Sequence, residues 1–462
     1  MCSEMRSEWK SCRAGLNHGL PRAFVALAGI VLNLGSGQTQ AECVEEQKLT
    51  ASDMAANGRF AVAVSVSGNV ALIGASREDC WAGERCGSAY VFRFNGTSWV
   101  EEQKLTASDA AADDRFGGRV SISGDVAVVG VIRDGCAAGD FCGSAYVYRF
   151  DGSSWFEEQK LTASDAAPDD AFGYSVSVSE DTVLVGALWD DCPAGLGCGS
   201  AYVYRFNGWS WVEEQKLIAT GAEAAYHLGG FVSLDGNVAV LGARTVDRAA
   251  GNNCGSAYVF RFDGLTWVEE QKLIASDAES GDSFGFAVSV SGDTALVGAY
   301  MDDCAAASYC GSVYVFRFNG TSWFEEQKLT ASDAAYEDVF GAAVSVSGDT
   351  AVIGAFGDDC PASSVCGAAY VFRFNRTSWV ETQKLSTTDT RTEDLFGASV
   401  SVSGDTAVVA APARPCAAGT RCGAAYVFSC LTAPKVVNLD IKPGSCPNPL
   451  NPKSKGVVPV AL

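Results

Sequence analysis

Residues 42–53 read ECVEEQKLTASD, and from Trp99 the same words return as WVEEQKLTASD. The later copies follow a Trp and a complete strand pattern; the first follows neither, and Cys43 stands in the Trp position. The spacing of the copies is fixed. Cys86, Cys142, Cys198, Cys254, Cys310, Cys366 and Cys422 stand 56 residues apart at every step, which defines seven repeats beginning at residues 45, 101, 157, 213, 269, 325 and 381. Self-similarity at such a period marks a structure built by stacking one supersecondary unit.

Within a repeat, FGYSVSVS (172–179), DTVLVGA (181–187), GSAYVYRF (199–206) and WVEEQKL (211–217) alternate or cluster β-branched and aromatic residues as strands do. Between them lie SGD-type turns, a long Cys-containing loop, NGTS or DGSS, and Asp-rich segments such as TASDAAADD (106–114), all turn chemistry. Four antiparallel strands, A to D, are therefore expected in each repeat. Such a sheet cannot bury both faces alone, and radial packing about an axis solves that. The expected fold is all-β: a seven-bladed β-propeller of four-stranded antiparallel blades. A β-solenoid is the competing arrangement, but its coils are shorter and pair in parallel without hairpin turns.

The ragged start has a reading in this frame. The last repeat ends after its strand C, AAYVFSC (424–430), with no WVEEQKL behind it. Residues 44–49 supply the missing strand D, so the two ends of residues 42–430 interleave to close the ring. In complete repeats Phe94/Trp99, Phe150/Trp155 and Phe374/Trp379 flank a four-residue turn and should face each other across the C-to-D hairpin. The equivalent positions of the closing blade are Cys430 and Cys43, which predicts a Cys43–Cys430 disulfide. The register of Trp99, Trp155, Trp211, Trp267, Trp323 and Trp379 favours packing between blades over six binding sites.

Phe-Gly at the start of strand A (Phe116-Gly117, Phe172-Gly173, Phe284-Gly285, Phe340-Gly341, Phe396-Gly397), Gly-Ala at the end of strand B and YVF in strand C resemble the FG-GAP repeats of the integrin α-subunit propeller. Repeat one departs with Phe60-Ala61 and repeat four with Leu228-Gly229; Ala411-Pro412 keeps the family's proline, but Ala410 replaces its Gly. The resemblance implies an extracellular adhesion propeller. Calcium-binding members of that family carry an Asp-rich loop between strands A and B. Here that connection is SGD, SGN, SED or DGN, too short for a cage of six to eight oxygens, so calcium sites are not carried over and no cofactor is expected.

A formal charge of −22 argues against a nucleic-acid partner, which needs clustered Lys and Arg. Arg6, Lys10, Arg13 and Arg22 precede an apolar run, Ala23 to Leu34, and then GQTQA, the layout of a secretory signal peptide over residues 1–41 with no spanning segment after cleavage. In an exported chain the cysteines read as disulfides: Cys80–Cys86, Cys136–Cys142, Cys192–Cys198, Cys304–Cys310, Cys360–Cys366 and Cys416–Cys422 would pin the B-to-C loops. Repeat four has Arg248 at the first Cys position, which leaves Cys254 and Cys446 without evident partners. Residues 431–462 are Pro-rich and read as the start of a truncated β module. Asn95-Gly-Thr, Asn319-Gly-Thr and Asn375-Arg-Thr match a glycosylation pattern but read as hairpin turns.

Because strands alternate in direction, the D-to-A and B-to-C loops share one face, which is long, acidic and variable, and therefore the expected binding face. Asp190-Asp191, Asp302-Asp303 and Asp358-Asp359 are candidate cation ligands there, against the competing reading of turn-capping aspartates. The residue after Gly-Ala varies from Ser76 and Ile132 through Leu188 and Arg244 to Tyr300 and Phe356, as recognition of an asymmetric ligand requires. With Trp81, Trp189, Tyr226 and His227, the residues Arg244, Tyr300 and Phe356 form the candidate ligand contacts, for an extracellular protein or glycan. Once residues 1–41 are set aside, His227 is the single histidine, and no nucleophile motif accompanies it. A non-catalytic binding or adhesion module is the expectation. A sialidase-like glycosidase, suggested by DGLTW (263–267), and a purely structural spacer are the alternatives.

Overall fold

The computed structural model describes residues 42–430 except 247–250, 305–306, 360–364, 388 and 390. The signal-peptide reading, the tail module, Arg248 and Cys360 with its expected bridge all fall outside the described residues.

Seven four-stranded antiparallel sheets form, each with neighbours in the order A-B-C-D. The first complete blade comprises Phe60–Ser67, Val70–Ala75, Ser88–Phe94 and Trp99–Leu105. The closing blade joins Val400–Ser403, Thr406–Ala411 and Ala424–Ser429 to Val44–Leu49, which pairs antiparallel with the last of them. Strand A is innermost, since strand-A residues of all seven blades line an axial channel of about 290 Å³. Strand B is buried along its whole length in every blade but the last, where only Thr406 is partly exposed, because other sheets stack on both its faces.

The core is divided into seven clusters, one between each pair of neighbouring blades. One of them packs Val70, Leu72, Val91 and Leu105 of the first blade against Phe116, Val129, Tyr146 and Trp155 of the second. The repeated Trp thus lies between blades, facing its hairpin partner: Phe94 opposes Trp99 with ring centroids 5.7 Å apart. In the closing blade the same pair of positions is bridged as Cys43–Cys430, with Cα atoms 3.9 Å apart. The loop bridges Cys80–Cys86, Cys136–Cys142, Cys192–Cys198, Cys304–Cys310 and Cys416–Cys422 also form. Cys254 is buried with its Sγ 3.2 Å from the Gly251 carbonyl.

A sheet edge exposes unpaired backbone groups, and both edges of each blade are answered by the neighbouring blade. On the inner edge, Ser hydroxyls of one strand A accept N–H groups of the next: Ser65 from Ile122, Ser121 from Val178, Ser177 from Leu234 and Ser401 from Val66. On the outer edge, the Gln of EEQKL grips the next blade through both amide atoms. Gln103 Oε1 accepts from Trp155 N at 2.8 Å and its Nε2 donates to Trp155 O at 2.6 Å. The ring of clamps closes on Gln383, which holds Cys43 N and O at 2.6 and 2.9 Å. A β-bulge at Glu102 lets neighbouring side chains reach the same blade, since Glu102 accepts from Trp155 Nε1 beside Gln103.

The glycines of Phe-Gly and Gly-Ala meet at these interfaces. A Cβ on Gly74 would lie 1.9 Å from the Gly117 carbonyl oxygen, and Gly117 itself sits at φ 86°. Leu228 keeps the Phe role in blade four, with its N–H donating to Cys198 O at 2.9 Å as Phe116 N does to Cys86 O at 2.7 Å.

Candidate ligand-binding face

The acids of the loop face are largely engaged within their own blades. In blade three, Tyr202 Oη and Lys216 Nζ lie 2.7 Å from the two oxygens of Asp165, and Lys216 lies 2.6 Å from Asp190. Blades five and six repeat the node with Tyr314, Lys328, Asp277 and Asp302, and with Tyr370, Lys384, Asp333 and Asp358. Partial burial opposes ionisation of Asp165, but hydrogen bonds from Lys216 and Tyr202 hold its carboxyl below the usual range. Burial, then the bond to Asp165, pushes the Tyr202 phenol up, so the Tyr stays a neutral donor.

The second Asp of each pair caps its loop: Asp191 accepts from Gly197 N, Asp303 from Tyr309 N and Asp359 from Val365 N, at 2.9, 3.0 and 2.7 Å. The structure thus sets Asp190, Asp191, Asp302, Asp303, Asp358 and Asp359 against lysines, tyrosines and backbone rather than against each other. No group of three or more potential metal ligands forms among the described residues.

Blade four departs at two coupled positions. Gly221 and Val246 stand where blade three has Asp165 and Asp190, while Lys272 still lies over the Tyr258 ring at 5.2 Å. His227 Nδ1 lies 3.2 Å from Thr245 Oγ1; burial and then the Arg244 charge hold the imidazole below its usual pKa. Tyr226 is half-buried against the same blade's core.

The channel mouth brings two of the aromatic candidates, Trp189 and Tyr300, into one chain of rings and guanidinium groups. Trp189 packs on Tyr174 at 6.4 Å. Arg119 lies over Tyr174 at 5.4 Å and over Phe231 at 5.7 Å. Phe231 meets Phe286 at 4.8 Å, and Phe286 meets Tyr300 at 4.1 Å with Arg244 on its other contact at 5.5 Å. Phe356 lines the channel and also a neighbouring cavity of about 600 Å³ shared with Tyr309, Tyr336, Val339, Val365 and Leu395. Trp81 is 80% exposed and stacks on no other ring among the described residues.

Two rings of equivalent positions at the mouth escaped the sequence reading, which singled out only His227 among their residues. The residue before Phe-Gly is Arg59, Arg115, Ala171, His227, Ser283, Val339 or Leu395, all left-handed with φ between 53° and 63°. The residue before Cys-Gly on the facing loop is Arg85, Phe141, Gly197, Asn253, Tyr309, Val365 or Arg421, with φ between 54° and 63°. Non-Gly residues held there carry backbone strain, and such strain gathers where side chains are displayed for a purpose. Blades seven, one and two fill these positions mainly with arginine; blade six fills both with valine, and blade five with Ser283 and Tyr309. The expected acidic face is thus basic and aromatic at its centre.

Seven segments, 43–92, 99–148, 155–204, 211–260, 267–316, 323–372 and 379–428, match the model of the FG-GAP repeat. No curated protein matches the chain. The matched segments follow the 56-residue period through the whole ring, and with the Phe-Gly and Gly-Ala contacts between blades they establish that this chain belongs to the FG-GAP repeat family.

Proposed function

We propose that this chain is a secreted, non-catalytic recognition module that binds an extracellular protein or glycan at the loop-bearing mouth of the propeller. The observation that carries the reading is the contrast between constant scaffold and varied rim. Gln clamps, Ser bonds and Trp packing repeat from blade to blade, whereas the rim runs from Arg59 through His227 to Leu395 at one equivalent position. Sevenfold symmetry in the scaffold combined with asymmetry at the rim suits one asymmetric ligand. The disulfides and the signal-like start support an oxidising, extracellular setting.

The test is a binding screen of the full chain against glycan and extracellular-protein panels, repeated with Tyr300→Ala/Phe356→Ala and with Trp209→Ser. Trp209 is 92% exposed in a C-to-D turn. Loss of binding in the first variant and retention in the second supports the mouth; the reverse pattern moves the site to the turns and sinks the assignment.

A further inference from the structure

Against a net charge of −22, the mouth gathers arginines from three blades. Arg59, Arg77, Arg115 and Arg119 line a single cavity of about 180 Å³ together with Ile132 and Tyr174. Arg421 borders an adjoining cavity with Arg59 and Glu393. Glu393 makes no ion pair among the described residues, and the other nearby acid, Asp113, is already shared among Arg85, Arg115 and Arg133. Among the described residues no carboxylate lies within ion-pair distance of Arg59, Arg77, Arg119 or Arg421. The Arg119 Nε atom is buried without a hydrogen-bond partner.

The surroundings oppose this concentration of charge. Burial and then Arg77, Arg421 and Arg115 hold the Arg59 guanidinium below its usual pKa. Arg59, Arg115 and Arg421 also sit at φ 54°, 63° and 54°, where a side chain other than Gly is disfavoured. The strand-C arginines of blades one to three, by contrast, are paired: Arg93 with Glu102, Arg149 with Glu158, Arg205 with Glu214. Among the described residues Arg59, Arg77 and Arg119 share one cavity without an ion pair, and Arg421 borders the next.

Resting on the reading of the mouth as the binding face, we infer that this cavity receives a single carboxylate, presented by an acidic side chain of a peptide segment in a protein partner. Guanidinium forks match a carboxylate in two-point geometry. A compact group fits because screening confines attraction to about 8 Å at physiological salt. An extended polyanion such as a sulfated glycan would meet the repulsion of the acidic body. Tyr174 and Ile132 offer apolar surface to the stem of the acidic side chain, and the Val339, Val365 and Leu395 side of the mouth offers it to residues that follow.

The experiment uses an array of immobilised peptide pairs that differ only in Asp or Glu against Asn or Gln, beside a panel of sulfated and neutral glycans. It is read with the full chain and with its Arg59→Gln/Arg77→Gln and Arg59→Lys variants. The expected result is at least a tenfold preference for the acidic member of bound pairs, lost in the double Gln variant, partly kept in the Lys variant and weakened between 50 and 300 mM salt. Peptide binding without acid preference, or binding confined to sulfated glycans and retained in the Gln variant, overturns the carboxylate site while the recognition function stands. Binding of neutral glycans alone does the same. Silence on every array overturns both.

Discussion

Cys43 and Cys430 are joined at the positions where Trp379 faces Phe374 in the preceding blade. The bond spans 387 residues of sequence and stands where the other six blades have a covalent hairpin. In the chain-entropy model so long a loop contributes about 6 kcal/mol, against about 2 kcal/mol for each loop bridge. Cys43→Ser/Cys430→Ser should therefore lower unfolding stability by roughly 2–5 kcal/mol, more than loss of any one loop bridge. Cys43→Trp/Cys430→Phe should recover roughly 1 kcal/mol by restoring the aromatic cross-strand pair. Urea unfolding under non-reducing conditions reads both, and a wild-type midpoint in the Ser variant would show that closure does not depend on the bridge.

The Gln clamps make a second, sharper claim about how blades hold together. Gln271 grips Trp323 through N and O at 2.8 and 2.7 Å, and truncation to Ala leaves both backbone groups at a partly buried edge. Gln271→Ala should cost roughly 1–3 kcal/mol. Gln271→Glu keeps the acceptor and loses the donor, so it should fall between wild type and Ala at neutral pH. Equal stability of Gln, Glu and Ala in denaturant titrations would assign blade cohesion to the apolar clusters alone.

How much of this was legible in the sequence differs by level. The propeller, its blade count and its closure were readable because an unbroken 56-residue period fixes phase, and phase locates the missing strand and both halves of its disulfide. Ala61 and Ala410 read as two separate lapses from the glycine pattern; folded, they share the cluster between the last and first blades, so one interface accommodates both. The partners of the acids were not legible, because sequence counts Asp190 but does not place Lys216 and Tyr202 against it. The arginine cavity was hidden because Arg59 and Arg77 of one blade meet Arg115 and Arg119 of the next only when the blades pack side by side. Reading the repeats column by column, at the residue before Phe-Gly, would have exposed it.

Metal dependence should be absent. With Asp190, Asp302 and Asp358 tied to lysines, chelation by EDTA should leave the thermal midpoint where it was, and added calcium should not raise it. A rise of several degrees with millimolar calcium would require a site among residues other than these.

Two buried carboxyls predict a pH dependence of unusual sign. Burial raises Asp170 and Asp282 from 3.8 to about 6, reinforced by Asp190 and Asp302 respectively. A carboxyl raised on folding binds more protons in the native state, so its contribution to stability falls as pH rises from about 4 to 6 and stays low above that. Asp170→Asn keeps an oxygen to accept the Ala167 N–H, 2.6 Å away in the wild type, and removes the buried charge. Asp170→Asn/Asp282→Asn should gain on the order of 1–2 kcal/mol at pH 7 and nothing at pH 4. Asp165 runs the other way: its lowered pKa gives stability above pH 3.8 that is lost on acidification. Denaturant unfolding from pH 4 to 8 separates the two, since only the upper limb of the profile should flatten in the double variant.

The arginine cavity carries a stability signature that is independent of any ligand. Burial and then Arg115, Arg85 and Arg421 hold Arg77 below its usual pKa, with Asp113 only partly offsetting them, so the native state is strained by like charges. Arg77 is only partly buried and makes no ion pair among the described residues, which means that Arg77→Gln removes repulsion and breaks little. The variant should be more stable than wild type by a few tenths to about 1 kcal/mol at low ionic strength. At 0.5 M salt, where the Debye length shrinks to about 4 Å, the gain should fade. Arg93→Gln is the matched control, because it removes a paired arginine beside Glu102 and should lower stability under both conditions. Parallel thermal melts of the two variants at 20 mM and 500 mM salt decide the matter, and destabilisation by Arg77→Gln at low salt would mean that its charge is already answered inside the protein.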